Sequence, residues 1–388
     1  MMQLIEIQNT TDAKRFVTGP VKLLQDDPNY IQPLETDIEK VFDPAQNKAF
    51  RHGECIRWIL VDSNNHFLGR IAAFVNRKYK NKGDDGIAGG IGFFDCVNDQ
   101  NAADLLFDVA RNWLLQKECF CMDGPINFGE RDKWWGLVIS GHQPPLYNMN
   151  FNPPYYQTLF ENYGFKPFFY QLCFGLDPAK KFNPKIYERH RALSEQGGYQ
   201  LKHMELSKLD KYAADFAEVY NAAWAKHGGL KEMKVEQAII MFKTMKPVID
   251  PRIVWFVYHF DKPVAIFINL PDLNQWFKKL RGKFNLISKL KFLYYKYTVA
   301  NTKMVGLVFG ISPEYQGLGI DSFIIVEAGK EVNKMSYTQY EMQWIGDFNP
   351  KMVNIAKNFG DTFETRKLAT FRYLFDQSQS FKRHPMID

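Results

Sequence analysis

The order of apolar and polar positions changes from strand-like to helix-like twice along the chain. In the first half, apolar runs at 55–61 and 67–75 flank the polar tetrapeptide 62–65, and this pattern predicts a β-hairpin. Another apolar run at 87–94 predicts a further strand, and the apolar positions of 101–115 recur at helical spacing. Strands followed by a helix in this order predict an α/β sheet.

The second half repeats this order. Apolar runs at 252–260 and 263–270 predict a second hairpin. The apolar run at 304–311 predicts a strand that leads into a helix at 319–332. The same succession of elements in both halves indicates that the chain contains one architecture twice.

The end of each half carries the same short motif. An Asn-Pro pair precedes a predicted helix that closes on Asn-Tyr-Gly164 in the first half and on Asn-Phe-Gly360 in the second, 196 residues later. Chance can produce so short a match, but the equal order of strands supports duplication. We predict two domains, residues 1–180 and 199–388, joined by a linker at 181–198 that is marked by Asn-Pro and Gly-Gly.

Composition places the chain among globular proteins. Of its 388 residues, 46% are hydrophobic and 33 are Phe, which is enough apolar surface to exclude disorder as the main state. The N-terminus has no basic region followed by an apolar run, and no stretch is long and apolar enough for a membrane span. Five cysteines are too few for a disulfide scaffold. We expect a cytoplasmic protein without a membrane span.

The net charge of +6 is concentrated in one segment. Residues 275–300 contain seven basic and no acidic residues, and without them 42 basic residues stand against 43 acidic ones. A nucleic-acid-binding protein usually has a broader basic surface, so we expect no nucleic-acid partner. Three interpretations of the segment remain: a membrane-surface helix, a lid over an anionic substrate and a solvated flap. The apolar residues leave no clean polar face, which argues against the membrane-surface helix. Because the segment lies just before the predicted strand at 304–311, where it could reach over an acceptor, we favour the lid over the flap.

A glycine-containing turn after the strand at 304–311 is the strongest chemical signal. Gln316-Gly-Leu-Gly-Ile-Asp321 lies between an apolar strand and a predicted helix. Such a turn presents free backbone N–H groups and the positive end of the helix dipole to phosphate oxygens. Gly317 and Gly319 would let the backbone approach a ligand. The alternative is a plain strand-to-helix connection with capping glycines.

The turn resembles the coenzyme A pyrophosphate loop of the GNAT superfamily of acyl-CoA-dependent N-acyltransferases, and it matches that loop at Gln316 and Gly319. The resemblance implies two tandem GNAT-like domains, each a mixed, mostly antiparallel twisted sheet flanked by helices. It also implies acetyl-CoA or another acyl-CoA as cosubstrate. The residues it assigns to the coenzyme are Phe309, Gly310, Ile311, Gln316, Gly317, Leu318, Gly319, Ile320, Asp321 and Asn349. The corresponding segment of the first half, 97–103, has no glycine, so we expect no coenzyme there.

The resemblance also implies where the chemistry takes place. A backbone N–H group in the range 309–311 would polarise the thioester carbonyl. Glu341 is the first candidate for the base that takes the proton of the amine, and Asp347 is the second. Tyr315 is a candidate proton donor to the leaving thiolate, because Ala356 stands where many members carry a tyrosine. A salt-bridged acid and a packed aromatic ring are the alternatives for these side chains.

Two further segments are candidates for the acceptor site. The long loop 128–154 contains Trp134, Trp135, Tyr147 and Asn150, and the segment before the basic insertion contains Asp272 and Asn274. A packed cover over the sheet and a simple turn are the respective alternatives. No His or Cys cluster has metal-ligand spacing, so we expect no metal.

The sequence therefore predicts an N-acyltransferase that acts on a small-molecule or peptide amine. The alternative is a catalytically degenerate protein of the same fold that binds an acyl-CoA or a partner.

Overall fold

The computed structural model describes residues 1–225 and 232–387, and their strands form one continuous sheet. The elements of the first half are β1 (Gln3–Glu6), α1 (Thr10–Leu24), α2 (Glu35–Val41), β2 (Gly53–Val61), β3 (Phe67–Asn76), β4 (Ile87–Cys96), α3 (Gln100–Gln116), β5 (Cys119–Gly124), β6 (Leu137–Ser140), α4 (Tyr155–Tyr163) and β7 (Lys166–Leu176).

The elements of the second half are α5 (Pro184–Gln196), β8 (Tyr199–His203), α6 (Leu209–Tyr220), α7 (Val235–Met245), β9 (Val254–His259), β10 (Lys262–Pro271), α8 (Asn274–Phe277), α9 (Leu286–Thr298), β11 (Lys303–Ile311), α10 (Ile320–Val332), β12 (Gln339–Met342), β13 (Ile345–Gly346), α11 (Pro350–Lys357) and β14 (Phe363–Leu374). Among the described residues, no helix is both long and apolar enough to cross a membrane.

Both predicted hairpins are confirmed. β2 pairs antiparallel with β3, and β9 with β10. The first turn is closed by the Asp62 carboxylate, which accepts the backbone N–H groups of Asn64 and His66 at 2.8 Å each. Asn65 then adopts a φ of 64°, a left-handed conformation that asparagine tolerates well. Local side-chain chemistry therefore explains why the chain reverses where the sequence predicts.

The two halves have the same strand order, as the duplication predicts. In each, an antiparallel series ends in a fourth strand that leads through a crossover helix to a parallel fifth strand: β4, α3 and β5 in one half, and β11, α10 and β12 in the other. The motif glycines also correspond, because Gly164 and Gly360 both adopt positive φ, 109° and 128°, after their helices. Glycine adopts these angles without a steric penalty.

The sequence predicts a sheet in each half, but the two halves exchange their last strands and form one sheet. β7 of the first half pairs with β12 and β13 of the second, and β14 of the second half pairs with β5 and β6 of the first. β7 and β14 also pair with each other over most of their length. Hydrogen bonds across this seam join both sheets into one, and no local sequence pattern distinguishes this partner from a strand of the same half.

The segment predicted to be a linker, 181–198, contains α5, which packs against α10. The Asn183 side chain caps α5 by accepting the Lys185 N–H, and Pro184 occupies the first helical position. Ile186 and Leu193, seven residues apart, are buried in the core of the second half. Helical packing on the second half thus begins well before β8. The domain boundaries themselves stay a prediction.

Helices cover both faces of the second half of the sheet. α5 and α10 pack on one face against residues such as Phe267 and Met304. α6 and α7 pack on the other face against residues such as Ile266 and Val308. We call these the α10 face and the α6 face.

The basic segment folds as α8 and α9 on a small apolar cluster of its own. The members of this cluster are Leu34, Leu273, Trp276, Phe277, Leu280 and Phe292. α9 buries only a narrow stripe that includes Ser288 and Phe292. It has no single polar face because it is apolar on two opposite sides, one facing the protein and one facing outward.

Candidate active site

A gap between β11 and β12 is the central feature of the candidate site. The two parallel strands pair only from Lys303 opposite Gln339 to Gly306 opposite Met342, after which β11 continues along β10 alone. The Ser312 N–H donates to the Val264 carbonyl on β10 at 2.9 Å. Because successive N–H groups of a strand alternate in direction, those of Phe309 and Ile311 point into the gap. Unpaired donors in a gap of this kind can hold a carbonyl oxygen.

β11 has a bulge where the gap begins. Ile268 pairs with Val308 but its neighbour Asn269 pairs with Gly306, so Leu307 has no partner on β10. The corresponding strand of the first half, β4, also has a register irregularity after its last pair with β5. Both fourth strands are therefore distorted where they separate from their fifth strands.

The first half closes its own gap. The Ile126 N–H donates to the Ile91 carbonyl at 2.8 Å, so the chain after β5 returns to β4. A Cβ added to Gly92 would lie 1.9 Å from the Ile126 carbonyl oxygen. With its gap filled by backbone, the first half has no room there for an extended ligand.

The glycine turn lies at the open end of the gap and leaves the start of α10 uncapped. Gly317 and Gly319 adopt φ angles of 78° and 92°, and a Cβ on Gly317 would meet nothing within 4 Å. Among the described residues, no side chain caps α10. The Gln316 amide instead donates to the Ile311 carbonyl at 3.1 Å and holds the turn against the end of β11. Free N–H groups at an uncapped helix start favour an anion.

The equivalent helix of the first half has a different N-terminus. The Asp99 carboxylate caps α3 by accepting the Asn101 N–H at 2.9 Å. A carboxylate already fills the position that a phosphate would need, which fits the missing glycines of 97–103.

Two residues near the glycine turn and β11 could not be predicted from the sequence. A Cβ on Gly319 would lie 3.5 Å from the backbone of Arg189 on α5, so an exposed arginine stands next to the turn. On the α6 face, Trp224 covers Gly310, where a Cβ would come within 2.3 Å of the indole ring. Only the packing of α5 and α6 on the sheet reveals either residue.

Glu341 is a buried, fully paired carboxylate. Its oxygens accept from Arg366 Nε at 2.7 Å and Lys303 Nζ at 3.0 Å, and its side chain is 1% exposed. Burial alone would raise the pKa of Glu341, but Arg366 and Lys303 outweigh burial and hold this pKa below its ordinary value. A carboxylate enclosed by two cations binds a proton weakly, so the geometry fits a structural ion cluster better than a base.

The first half contains a matching cluster. Asp123 on β5 accepts from Arg372 Nε at 2.6 Å and from the Tyr79 hydroxyl at 2.8 Å. In both halves, a buried acid of the fifth strand thus pairs with an arginine of β14. This equivalence supports a structural function for Glu341, since the cluster recurs where the gap is closed.

The other candidates for proton transfer also have partners. Asp347 accepts the Tyr170 N–H at 2.9 Å and pairs with Arg383. Asn349 caps α11 by accepting the Met352 N–H. The Tyr315 hydroxyl lies 3.3 Å from Nδ1 of His259, just before the glycine turn. The structure brings Tyr315 close to the turn and places Asp347 and Asn349 beyond β12.

The two predicted acceptor segments contact each other. The Asn274 amide donates to the Pro145 carbonyl at 2.8 Å, and the Tyr147 ring packs on Phe277 with 5.3 Å between centroids. Trp134 and Asn150 line a separate, partly open cavity in the first half. Trp135 is buried against Tyr79. The segments that contain Tyr147 and Asn274 therefore meet, whereas Trp134, Trp135 and Asn150 lie elsewhere in the first half.

The pKa of Asp272 is raised toward neutral pH. It lies at the end of β10, where one oxygen accepts the Asn274 N–H at 3.1 Å. Burial raises its pKa to about 6, although Lys303 opposes the shift. Because the pKa in the folded state exceeds the ordinary value of 3.8, the folded protein loses stability as pH rises from about 4 to about 6.

We therefore predict that Asp272→Asn removes part of this pH dependence. The shift corresponds to a penalty of about 3 kcal/mol at neutral pH, so the variant should equal or exceed the stability of the wild type at pH 8 and lose its advantage near pH 4. Urea unfolding at both pH values measures this. Equal differences at pH 4 and pH 8 would contradict the raised pKa, and Asp261→Asn is a control at a turn position of β9–β10.

A small, partly open apolar cavity lies on the α10 face beside the gap. Its walls include Met304 and Tyr340, which form a pair at the closed end of the gap, and Ala328 of α10. Phe359 completes the wall and contacts the ring of Phe309 at 6.1 Å between centroids. The cavity thus adjoins the strand whose N–H groups face the gap.

Among the described residues, no three side chains come together as metal ligands.

Comparison with solved structures identifies the architecture. A tandem GNAT protein from the clavulanic acid biosynthesis pathway aligns with 96% of this chain and 98% of its own, with a TM-score of 0.53 and 11% sequence identity. The chain has a tandem GNAT fold. A GCN5-related glucosamine N-acetyltransferase region in a fungal multi-domain β-N-acetylglucosaminidase has the same TM-score, and this chain spans 38% of that protein.

Sequence comparison finds relatives of similar length. A protein named bacterial ceramide synthase, from Caulobacter vibrioides, is 24% identical over 93% of this chain and 94% of its own. Protein YghO of Escherichia coli is 23% identical over 91% of this chain and 90% of its own. No model of a known protein family matches the chain. Within the tandem GNAT fold of this chain, the second half has the open gap and the glycine turn.

Proposed function

We propose that the protein is an N-acyltransferase that moves the acyl group of an acyl-CoA to the amine of a long-chain amino alcohol. The observation that carries the proposal is the open gap of the second half, which ends at an uncapped glycine turn. The GNAT fold and the relative named a ceramide synthase support acyltransferase activity. The acyl donor and the acceptor are our inference.

The donor would bind along β11. The N–H groups from Gly317 to Asp321 suit its phosphates, and the backbone of Arg189, an exposed cation, lies next to Gly319. The N–H groups of Phe309 and Ile311 suit a carbonyl oxygen in the gap. Gly310 allows Trp224 to cover this strand from the α6 face. Asp321 lies in the first turn of α10, where its charge would weaken the attraction of a phosphate.

The reaction needs few side chains. The amine nitrogen forms a bond to the thioester carbonyl carbon, the carbon–sulfur bond breaks, and the thiolate of coenzyme A leaves. A strand N–H stabilises the negative charge that develops on the carbonyl oxygen. The amine must give up a proton, and because Glu341 is enclosed by Arg366 and Lys303, we propose that water takes that proton.

The proposed acceptor follows from a relative, and the proposed site of the acyl chain follows from a cavity. A ceramide is the fatty amide of a long-chain amino alcohol, and one relative bears the name ceramide synthase. The small, partly open cavity on the α10 face is lined by apolar side chains, which suit a hydrocarbon chain better than a polar substrate. We place the acyl chain there, because the cavity adjoins Phe309.

The experiment measures amide formation and thiol release by the purified protein. With sphinganine as acceptor, we expect a rate with palmitoyl-CoA at least about tenfold higher than with acetyl-CoA. Ala328→Phe adds a ring to the cavity wall, so it should lower the rate with palmitoyl-CoA and leave the rate with acetyl-CoA unchanged.

Val332→Leu is a control of smaller volume change in the same wall. Amide formation with hydrophilic amines alone would contradict the lipid acceptor. Tight binding of acyl-CoA without any turnover would instead support the alternative, a degenerate acyl-CoA-binding protein.

A further inference from the structure

Helix α9 exposes large apolar side chains on the side that faces away from the protein. Leu286, Leu290 and Tyr297 are 75%, 61% and 82% exposed. Ile287, Leu293 and Tyr294 are exposed as well. Six such residues within thirteen are far more than the scattered apolar residues of an ordinary surface.

These six residues form one continuous stripe. At about 100° per residue, they fall within an arc of about 120° on the helix. The buried residues Ser288 and Phe292 lie on the opposite side. α9 is therefore fixed to the protein by one side and presents a second apolar side about 20 Å long.

Lysines flank the exposed stripe. Lys289 and Lys291 lie at its two edges on the helical wheel, and within residues 1–225 and 232–387 neither has an acidic partner. Lys278 and Lys279, just before α9, are exposed too. Two other cations of the segment are engaged, since Lys283 pairs with Glu35 and Lys296 donates to the Pro247 carbonyl.

We infer that the outward face of α9 docks on the surface of an anionic phospholipid membrane. An apolar stripe between lysines is the arrangement of helices that lie in the membrane interface, where apolar side chains enter the acyl boundary and lysines reach phosphate groups. A second copy of the chain is a poorer occupant, because paired α9 faces would bring lysines against lysines with no acid in 275–300. This inference is independent of the proposed acyl transfer.

The position of α9 gives the docking a consequence. Phe292 of α9 belongs to the same apolar cluster as Leu273 and Phe277, and Tyr147 packs on that cluster. A membrane bound by α9 would therefore lie next to the contact between the two acceptor segments. An acceptor that resides in a bilayer would reach the protein from this side.

Vesicle flotation tests the inference without any substrate. We expect the protein to bind vesicles of phosphatidylglycerol and phosphatidylcholine at least tenfold more strongly than vesicles of phosphatidylcholine alone. The triple variant Leu286→Gln, Leu290→Gln, Leu293→Gln should lower binding to the anionic vesicles at least tenfold. Lys289→Gln with Lys291→Gln should lower it several-fold and reduce its dependence on salt.

Ile240→Gln with Phe260→Gln is the matched control, since both residues are exposed and apolar but lie outside α9. It should bind vesicles like the wild type. Thermal unfolding shows that each variant folds. Equal vesicle binding by the wild type and the triple variant would overturn the inference. It would also be overturned if neither protein binds vesicles and the wild type is a dimer while the triple variant is a monomer. Vesicle binding is measured without acyl transfer, so the outcome of this test does not depend on whether the proposed acyltransferase activity is correct.

Discussion

Replacing Gly319 with glutamate should weaken the binding of acyl-CoA by about 100-fold. Gly319 has a φ of 92° and precedes the uncapped start of α10. Glutamate would add a side chain that this conformation disfavours and a negative charge beside the N–H groups proposed to hold phosphate. A loss of about 3 kcal/mol in binding corresponds to roughly 100-fold in Kd. Calorimetric titration with palmitoyl-CoA and with free coenzyme A measures the change.

The control for Gly319→Glu is Asn101→Glu, at the start of the equivalent helix of the first half. Asp99 already caps that helix with its carboxylate, so we expect no change in affinity. Both variants should fold, although Gly319→Glu would cost about 1–3 kcal/mol of stability through its backbone conformation. Unchanged affinity in a folded Gly319→Glu variant would remove the glycine turn from the coenzyme site.

Replacing Glu341 with glutamine should destabilise the protein by about 3 kcal/mol, because one partner of a buried ion cluster loses its charge. Arg366 is 1% exposed and Lys303 only 12%, so neither cation can recover its hydration in the folded state. Urea unfolding at pH 7 measures the loss. The pKa of Glu341 is lowered from the ordinary 4.5, so this stability is present above pH 4.5 and is lost as pH falls below it.

Glu364→Gln is the control for Glu341→Gln. This glutamate is exposed on β14, two residues from Arg366, and its replacement should change stability by less than about 0.5 kcal/mol. The two variants also distinguish a structural from a catalytic role of Glu341. A Glu341→Gln protein of normal stability that has lost kcat would establish Glu341 as the base and contradict the structural cluster.

Local signals account for what could be predicted of the fold. The hairpins follow from alternation of apolar residues around turn-forming residues, and Asp62 closes the first turn through neighbours two and four positions away. Gly317 and Gly319 mark a turn with positive φ because glycine is the residue that adopts it freely. The duplication is visible because both halves carry their own copy of these local patterns.

Contacts between distant residues decided the rest. Glu341 looks like any strand acid in the sequence, and its pairing with Arg366 exists only because β14 and β7 cross between the halves. The raised pKa of Asp272 comes from burial, which no neighbouring residue announces. Trp224 and Arg189 reach the site through the packing of whole helices on the sheet.

The basic segment shows most clearly which properties the sequence determines and which depend on tertiary packing. Its composition alone determined that seven cations and many apolar residues stand together without an acid. It did not determine which apolar residues are buried, because the residues of α9 are apolar on two sides of one helix. That choice was made when Phe292 packed against Trp276 and Phe277, since only one side of a helix can face a given cluster. The opposite side, with Leu286 and Leu290, was thereby left facing outward.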